Sequence, residues 1–178
     1  MDSEEILSLV NKNDQIIGTI LRGDIKNLTP SGGKYIRAVN AFIVRSDGKI
    51  WVPIRSTHKK LAPGGLDYSV GAHLQAGEDY IDSLIREFQE EAGFTVTANQ
   101  CIEIAYNTPF TMAINTIYFN KLYIVKTNEK PVLSDEHTSG RFLSINEAIE
   151  KIEGGATTKG YYREDLKFTQ DYLNKEAK

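Results

Sequence analysis

One stretch, from Asp79 to Gly93, restricts the fold more than any other part of the chain. Ile81, Leu84, Ile85, Phe88 and Ala92 recur at helical spacing, which predicts one amphipathic helix over 79–92. Gly93 stands where a left-handed residue would end that helix. Most of the apolar runs around it are short and β-type. Ile6–Val10 and Gln15–Ile20, separated by polar residues 11–14, predict a hairpin, and residues 26–34 carry a strong loop signal. Tyr35–Arg45 and Lys49–Arg55 flank the turn residues Ser46, Asp47 and Gly48 and predict a second hairpin. Residues 56–67 read as a loop and 68–74 as a short strand. Two β-rich stretches follow, at about 94–106 and 115–126. Ser144 and Glu147 form a capping-box pattern that opens a helix to about Ile152, and a last helix is predicted over about 162–174. Strands interleaved with a few helices imply an α/β or α+β sandwich with a mixed sheet. The expected organisation is one domain over 1–178, with residues 1–34 as an N-terminal β-hairpin and loop, and 35–178 as the core.

Bulk properties narrow the function classes. The 178 residues carry 21 Lys and Arg against 24 Asp and Glu, a net charge of −3, whereas a dedicated nucleic-acid binder would be basic overall. A single cysteine, Cys101, cannot form an internal disulfide, so a reducing, cytoplasmic setting is expected. The acidic start lacks the features of a signal peptide, and no apolar run approaches the length of a membrane span.

The chemistry lies in the helix and the loop before it. Glu87, Glu90 and Glu91 are spaced to project from one face bordering the apolar stripe. Three carboxylates at the edge of a core repel one another, and burial sharpens the repulsion. Either Arg86, four residues from both Asp82 and Glu90, or a hard divalent cation must compensate. Carboxylate oxygens, a backbone carbonyl and water form the donor set that suits Mg²⁺ or Mn²⁺, and magnesium in such sites commonly serves substrate phosphates. Taken without their neighbours, the same glutamates read rather as a solvated helix face, as most charge clusters do.

The longer arrangement decides between these readings. Glu78, then Arg86-Glu87 after seven residues, Phe88, Glu90-Glu91, Gly93 and Phe94 resemble the Nudix box, G-x5-E-x7-R-E-U-x-E-E-x-G-U, where U is a bulky apolar residue. At average residue usage, a chance match in a chain this long has a probability on the order of 10⁻⁵. The leading glycine of the pattern falls at Ala72, beside Gly71. The resemblance implies a Nudix-type α/β/α sandwich and a hydrolase that splits a diphosphate linkage in a nucleoside diphosphate derivative or related organic pyrophosphate. It implies metal ligands at Glu87, Glu90 and Glu91, with the Ala72 carbonyl. Arg86 and Glu78 would support the catalytic glutamate, taken as Glu87. Asp135 and Glu136 are candidates for a further acidic contribution from outside the box. The partner implied is a small-molecule diphosphate, with neither a nucleic-acid polymer nor a membrane, and a homodimer is compatible with the resemblance. A Nudix-like binding module without hydrolysis is the second reading, and the full set of box residues argues against it.

Ile36-Arg37-Ala38-Val39, the loop from Leu61 to Asp67 and the N-terminal hairpin are similar to the Nudix branch that contains isopentenyl diphosphate isomerases. Those enzymes use a cysteine in the strand before the box. Gly71 stands at that position here, Cys101 lies thirty residues further on, and Ile36 replaces a partner histidine. The resemblance therefore implies a hydrolase relative of that branch. His73, which matches a metal-binding histidine there, joins Arg55, Lys60 and Glu136 as candidate substrate contacts. Arg22-Gly23-Asp24 reads as a turn set after a strand, and Cys101 as a small core residue.

Overall fold

The computed structural model describes residues 4–111 and 116–176. Its centre is a ten-residue strand whose alternating side chains feed two different cores. Among the described residues there are eight strands: β1 (Ile6–Val10), β2 (Ile16–Leu21), β3 (Tyr35–Val44), β4 (Ile50–Arg55), β5 (Val70–His73), β6 (Cys101–Asn107), β7 (Tyr118–Lys126) and β8 (His137–Leu143). The helices are α1 (Tyr80–Glu87), α2 (Ile145–Glu153) and α3 (Tyr162–Glu176). Strand β3 pairs in antiparallel fashion with β1, β5 and β4 along its length, and in parallel with β7 from Ile36 to Val44. The sheet is thus mixed, in order β2-β1-β3-β4-β8 along one path, with β5 and the β7–β6 pair joined to β3.

Side chains two apart on a strand share a face. Val39, Ala41 and Ile43 of β3 are buried with Leu84 of α1 and Phe88, whereas Phe42 and Val44 are buried with Ala148 of α2 and with Tyr162 and Leu166 of α3. Helices therefore cover both faces, an α/β/α sandwich as expected. Full burial of Leu84 and Phe88 is worth about 1.5–3 kcal/mol each, enough to fix α1 on the sheet. A third cluster, with Leu7, Val10, Ile36 and Phe119, lies beneath the N-terminal hairpin and welds it to the core.

The structure departs from the sequence expectations in four places. The helix predicted over 79–92 is α-helical only to Glu87, and Phe88–Ala92 form a π-helical turn ended by Gly93 at φ 77°. The strand expected from residue 94 begins at Cys101, after a short 3₁₀ turn at Ala98–Gln100. Two 3₁₀ turns, Arg22–Asn27 and Pro30–Gly32, occupy what reads as a loop. Strand β8 was not anticipated at all: HTSGRFL is polar, and its glycine sits where a Cβ would come within 2.4 Å of the Trp51 ring. Residue 115, the start of the second predicted β-rich stretch, lies outside the described residues. Among the described residues no helix is long and apolar enough to cross a membrane.

Candidate active site

The site is built at the C-terminal half of α1, where it passes β5. Asp79 caps the helix, accepting the backbone N–H groups of Ile81 and Asp82 at 2.9 Å each. Seven residues on, Arg86 reaches back to Glu78 in a two-pronged pair at 2.6 and 3.1 Å. The same guanidinium donates to Glu87 at 2.5 Å and to Glu90 at 3.3 Å. One cation thus gathers three of the acids that the sequence singles out. Burial works to raise the Glu78 carboxyl, but its bonds from Arg86 and from the Gln75 amide win and hold it below the usual range.

The π turn sends the next two glutamates to different environments. Glu90 has 57% of its side chain exposed. Glu91 turns inward, and its carboxylate accepts the Gly71 amide of β5 at 3.1 Å. Burial, then the charges of Glu87 and Glu136, push the Glu91 carboxyl up to about 8. Burial likewise pushes Glu87 up to about 7, against the pull of Arg86. Two partly buried acids that repel each other, with a single arginine between three carboxylates, leave this pole short of positive charge, so that a cation placed here would let both acids ionise.

The opposite pole is a cavity of about 720 Å³ that Gly71, Ala72 and His73 of β5 also line. Its walls carry Arg22, Lys26, Arg55, Lys59, Lys60 and Lys159, against one lining acid, Glu136. Of the substrate contacts suggested by sequence, Lys60 is exposed on this wall. Glu136 is also there, paired with Lys59 at 2.6 Å, whereas Asp135 is exposed away from the lining. Arg55 lines the cavity, but its guanidinium is committed to a buried ion pair with Asp67 and to the Leu61 carbonyl. It shapes the loop beneath the cavity. Asp67 also takes Lys159 at 2.9 Å and has His137 at 3.5 Å. His73 stacks on Tyr118 with ring centroids 5.5 Å apart, and its buried Nδ1 has no partner. Burial, with Arg22 and Lys159 nearby, lowers its pKa to about 3, so the imidazole is neutral. Ala72 lies in extended β5 without a positive φ, so alanine costs nothing where the box pattern has glycine.

Arg22, Lys26 and Lys159 were not reached by reasoning from the box. They are 50, 46 and 87 residues from Ala72, and only the sheet topology brings them to one cavity.

The model of the NUDIX domain matches residues 34–165, which includes every box residue and both poles except Arg22 and Lys26. The chain belongs to the Nudix family. A Nudix hydrolase of Deinococcus radiodurans is 33% identical over 159 residues, 89% of this chain and 90% of that one. A Nudix hydrolase of Nostoc sp. is 32% identical over 160 residues, 89% and 92% of the two chains. A crystal structure of a Deinococcus radiodurans protein superposes with a TM-score of 0.80 at 31% identity, covering 92% of this chain and 98% of that one. The protein is a Nudix hydrolase.

Nudix hydrolases generally use divalent metal cations. The donor chemistry here suits such an ion: all-oxygen ligands and two partly buried carboxyl groups with too little positive charge between them. Among the described residues no three acidic, histidine or cysteine groups are already placed to hold a metal ion, and Glu87 and Glu90 are paired with Arg86. An isopentenyl-diphosphate isomerase of Photorhabdus laumondii is also similar, 23% identical over 178 residues, 96% of this chain and 98% of that one. The position of the isomerase cysteine is closed in this Nudix hydrolase. A Cβ on Gly71 would lie 2.6 Å from Asn40 Oδ1, whose amide nitrogen donates to Asn120 at 2.8 Å.

Proposed function

We propose that this Nudix hydrolase catalyses metal-dependent attack of water on phosphorus in the diphosphate linkage of a nucleoside diphosphate derivative or related organic pyrophosphate. The observation that carries the reading is the meeting of two charge poles at β5. Glu91 is bonded to Gly71, and Gly71 and Ala72 line the cation-walled cavity. An acidic pole suits a cation, and a basic pocket beside it suits the phosphates that the cation would serve.

Glu87, Glu90 and Glu91, with the Ala72 carbonyl, would hold Mg²⁺, for which Mn²⁺ would substitute. When bound, the ion supplies charge neutralisation at phosphoryl oxygens and a more acidic water. The chain's own residues do the rest. Glu78 anchors Arg86, and Arg86 positions Glu87 and Glu90. Glu87 takes the proton of the attacking water. Lys60 meets phosphate oxygens, while neutral His73 lines the same pocket and contacts an uncharged part of the substrate. Arg55 and Glu136 act at one remove, through the Leu61 carbonyl and Lys59.

The experiment is phosphate and nucleotide release from a panel of diphosphates, with and without Mg²⁺, for the wild type and Glu90→Gln. Magnesium-dependent cleavage of one class is expected. Because Glu90 is exposed, the variant should fold normally while turnover drops by several orders of magnitude. No cleavage across the panel would overturn hydrolysis as the function, and near-wild-type turnover in a folded variant would remove Glu90 from the metal set.

A further inference from the structure

Asp165, in the first turn of α3, is an acid that none of the roles above uses. It is fully buried and has no ion pair among the described residues. Its carboxylate meets only neutral donors: Tyr68 Oη at 2.6 Å and Asn107 Nδ2 at 3.1 Å. A buried carboxylate without a counter-charge costs stability. An apolar side chain would avoid that cost but could hold neither donor. What the acid supplies is position, because its two oxygens fix two donors at once.

Each tie of Asp165 leads to the cavity beside β5. Tyr68 lines that cavity, and Lys159 Nζ lies 5.9 Å from the centre of its ring. The Tyr68 amide donates to Asp67, the same carboxylate that takes Lys159. The backbone N–H of Asp165 donates to the Tyr161 carbonyl at 3.0 Å, and Tyr161 lines the wall with Lys159 and Gly160. Asn107 stands directly across the β6–β7 pair from Asn120, so the two side chains share a face. Asn120 lines the cavity and accepts from Asn40 at 2.8 Å. One residue that does not line the cavity thus reaches two stretches of its wall and the neighbour of a third lining residue.

We infer that Asp165 is a positioning residue for this cavity, holding Tyr68 and the segment from Lys159 to Tyr161 in the arrangement that receives the anionic part of the substrate. The inference deepens the hydrolase reading and rests on it for the use of the cavity. Side chains fixed before a ligand arrives lose less freedom on binding it. The acidic pole is held separately, by Arg86 and by the Gly71 amide. Loss of Asp165 should therefore weaken anion binding and leave metal binding alone.

The test compares the full-length wild type with Asp165→Leu, Asp165→Asn and Leu166→Ala. Three readouts are taken: calorimetric binding of inorganic pyrophosphate without metal, Mn²⁺ binding by electron paramagnetic resonance, and segment-resolved hydrogen exchange. Asp165→Leu should weaken pyrophosphate binding about tenfold and change Mn²⁺ affinity by less than about twofold. It should also speed exchange around Tyr68 and around 159–161 more than in α1. Asp165→Asn, which keeps a hydrogen-bonding oxygen, should behave as the wild type in all three. Leu166→Ala opens the packing of α3 without touching either bond, so it should lose stability and keep its pyrophosphate affinity. If Asp165→Leu does not fold, Tyr68→Phe removes one of the two donors and should reproduce part of the loss. Unchanged pyrophosphate affinity in the folded variant, an equal loss in Leu166→Ala, or exchange that speeds evenly along the chain would overturn the inference. So would a wild type that does not bind pyrophosphate. The expected pattern without cleavage of any diphosphate would sink hydrolysis and leave the positioning role standing.

Discussion

Asp67, outside the box, gathers Arg55, Lys159 and His137 beneath the cavity. Its carboxylate is buried, yet it is held well below the usual range. Burial works against the charge, but Lys159, His137 and Arg55 together outweigh it. Replacing Asp67 with Asn would leave Arg55, itself buried, beside Lys159 without a counter-charge. Removing one partner from a buried ion pair costs about 3–5 kcal/mol. We expect Asp67→Asn to lower stability by that order in urea unfolding, and to weaken phosphate binding because the Leu61 loop loses its hold through Arg55. A variant as stable as the wild type would show that the network is not needed for folding. None of this was legible in the sequence, where Arg55 reads as a basic residue before the box and Asp67 as the end of a glycine-rich loop. The box itself was legible because its spacing is local. Asp67, Lys159 and His137 are brought together across more than 90 residues, and no short pattern records that.

At the scale of elements, the N-terminal hairpin depends on one turn residue. Asp14 adopts φ 57°, and its carboxylate accepts Arg37 Nε at 2.7 Å, Tyr106 Oη at 2.8 Å and Tyr80 Oη at 3.1 Å. The turn is thereby tied to β3, β6 and α1 together. Asp14→Ala removes every one of those acceptors and puts a Cβ without local hydrogen bonding in a left-handed conformation. The loss should be about 2–4 kcal/mol, while Asp14→Asn, which keeps an acceptor oxygen and tolerates the backbone, should lose less. Urea denaturation of the two variants checks this, and equal losses would show that charge alone matters. The hairpin could be read from its two apolar runs, and α2 from its capping box. Strand β8 could not, because its pairing with β4 depends on Gly140 fitting under Trp51, a contact between residues 89 apart. The π turn left no mark either, since Phe88 and Ala92 fit the helical period through it.

Across the whole molecule, the layer of α2 and α3 is tied to the sheet at a buried acid that lines neither pole of the site. Asp165 of α3 accepts Tyr68 Oη at 2.6 Å and Asn107 Nδ2 at 3.1 Å, which connects α3 to β6 and to the segment that leads into β5. Burial pushes its pKa up to about 7, although both hydrogen bonds favour the charged form. The unfolded chain releases this proton near the ordinary carboxylate range, whereas the folded protein keeps it until about pH 7. The stability contributed by protonated Asp165 is therefore complete below about pH 4 and is lost as pH rises toward 7, beyond which the curve is flat for this group. Asp165→Asn keeps a neutral group at every pH. Relative to the wild type it should be similar in stability near pH 4 and more stable at pH 8, by a difference on the order of 4 kcal/mol. Urea unfolding of the two proteins at both pH values is the measurement. A difference that does not change between pH 4 and 8 would mean that Asp165 ionises alike in the folded and unfolded chains. The link between α3 and β6 would then be an ordinary hydrogen-bonded pair with no part in the pH dependence of the fold.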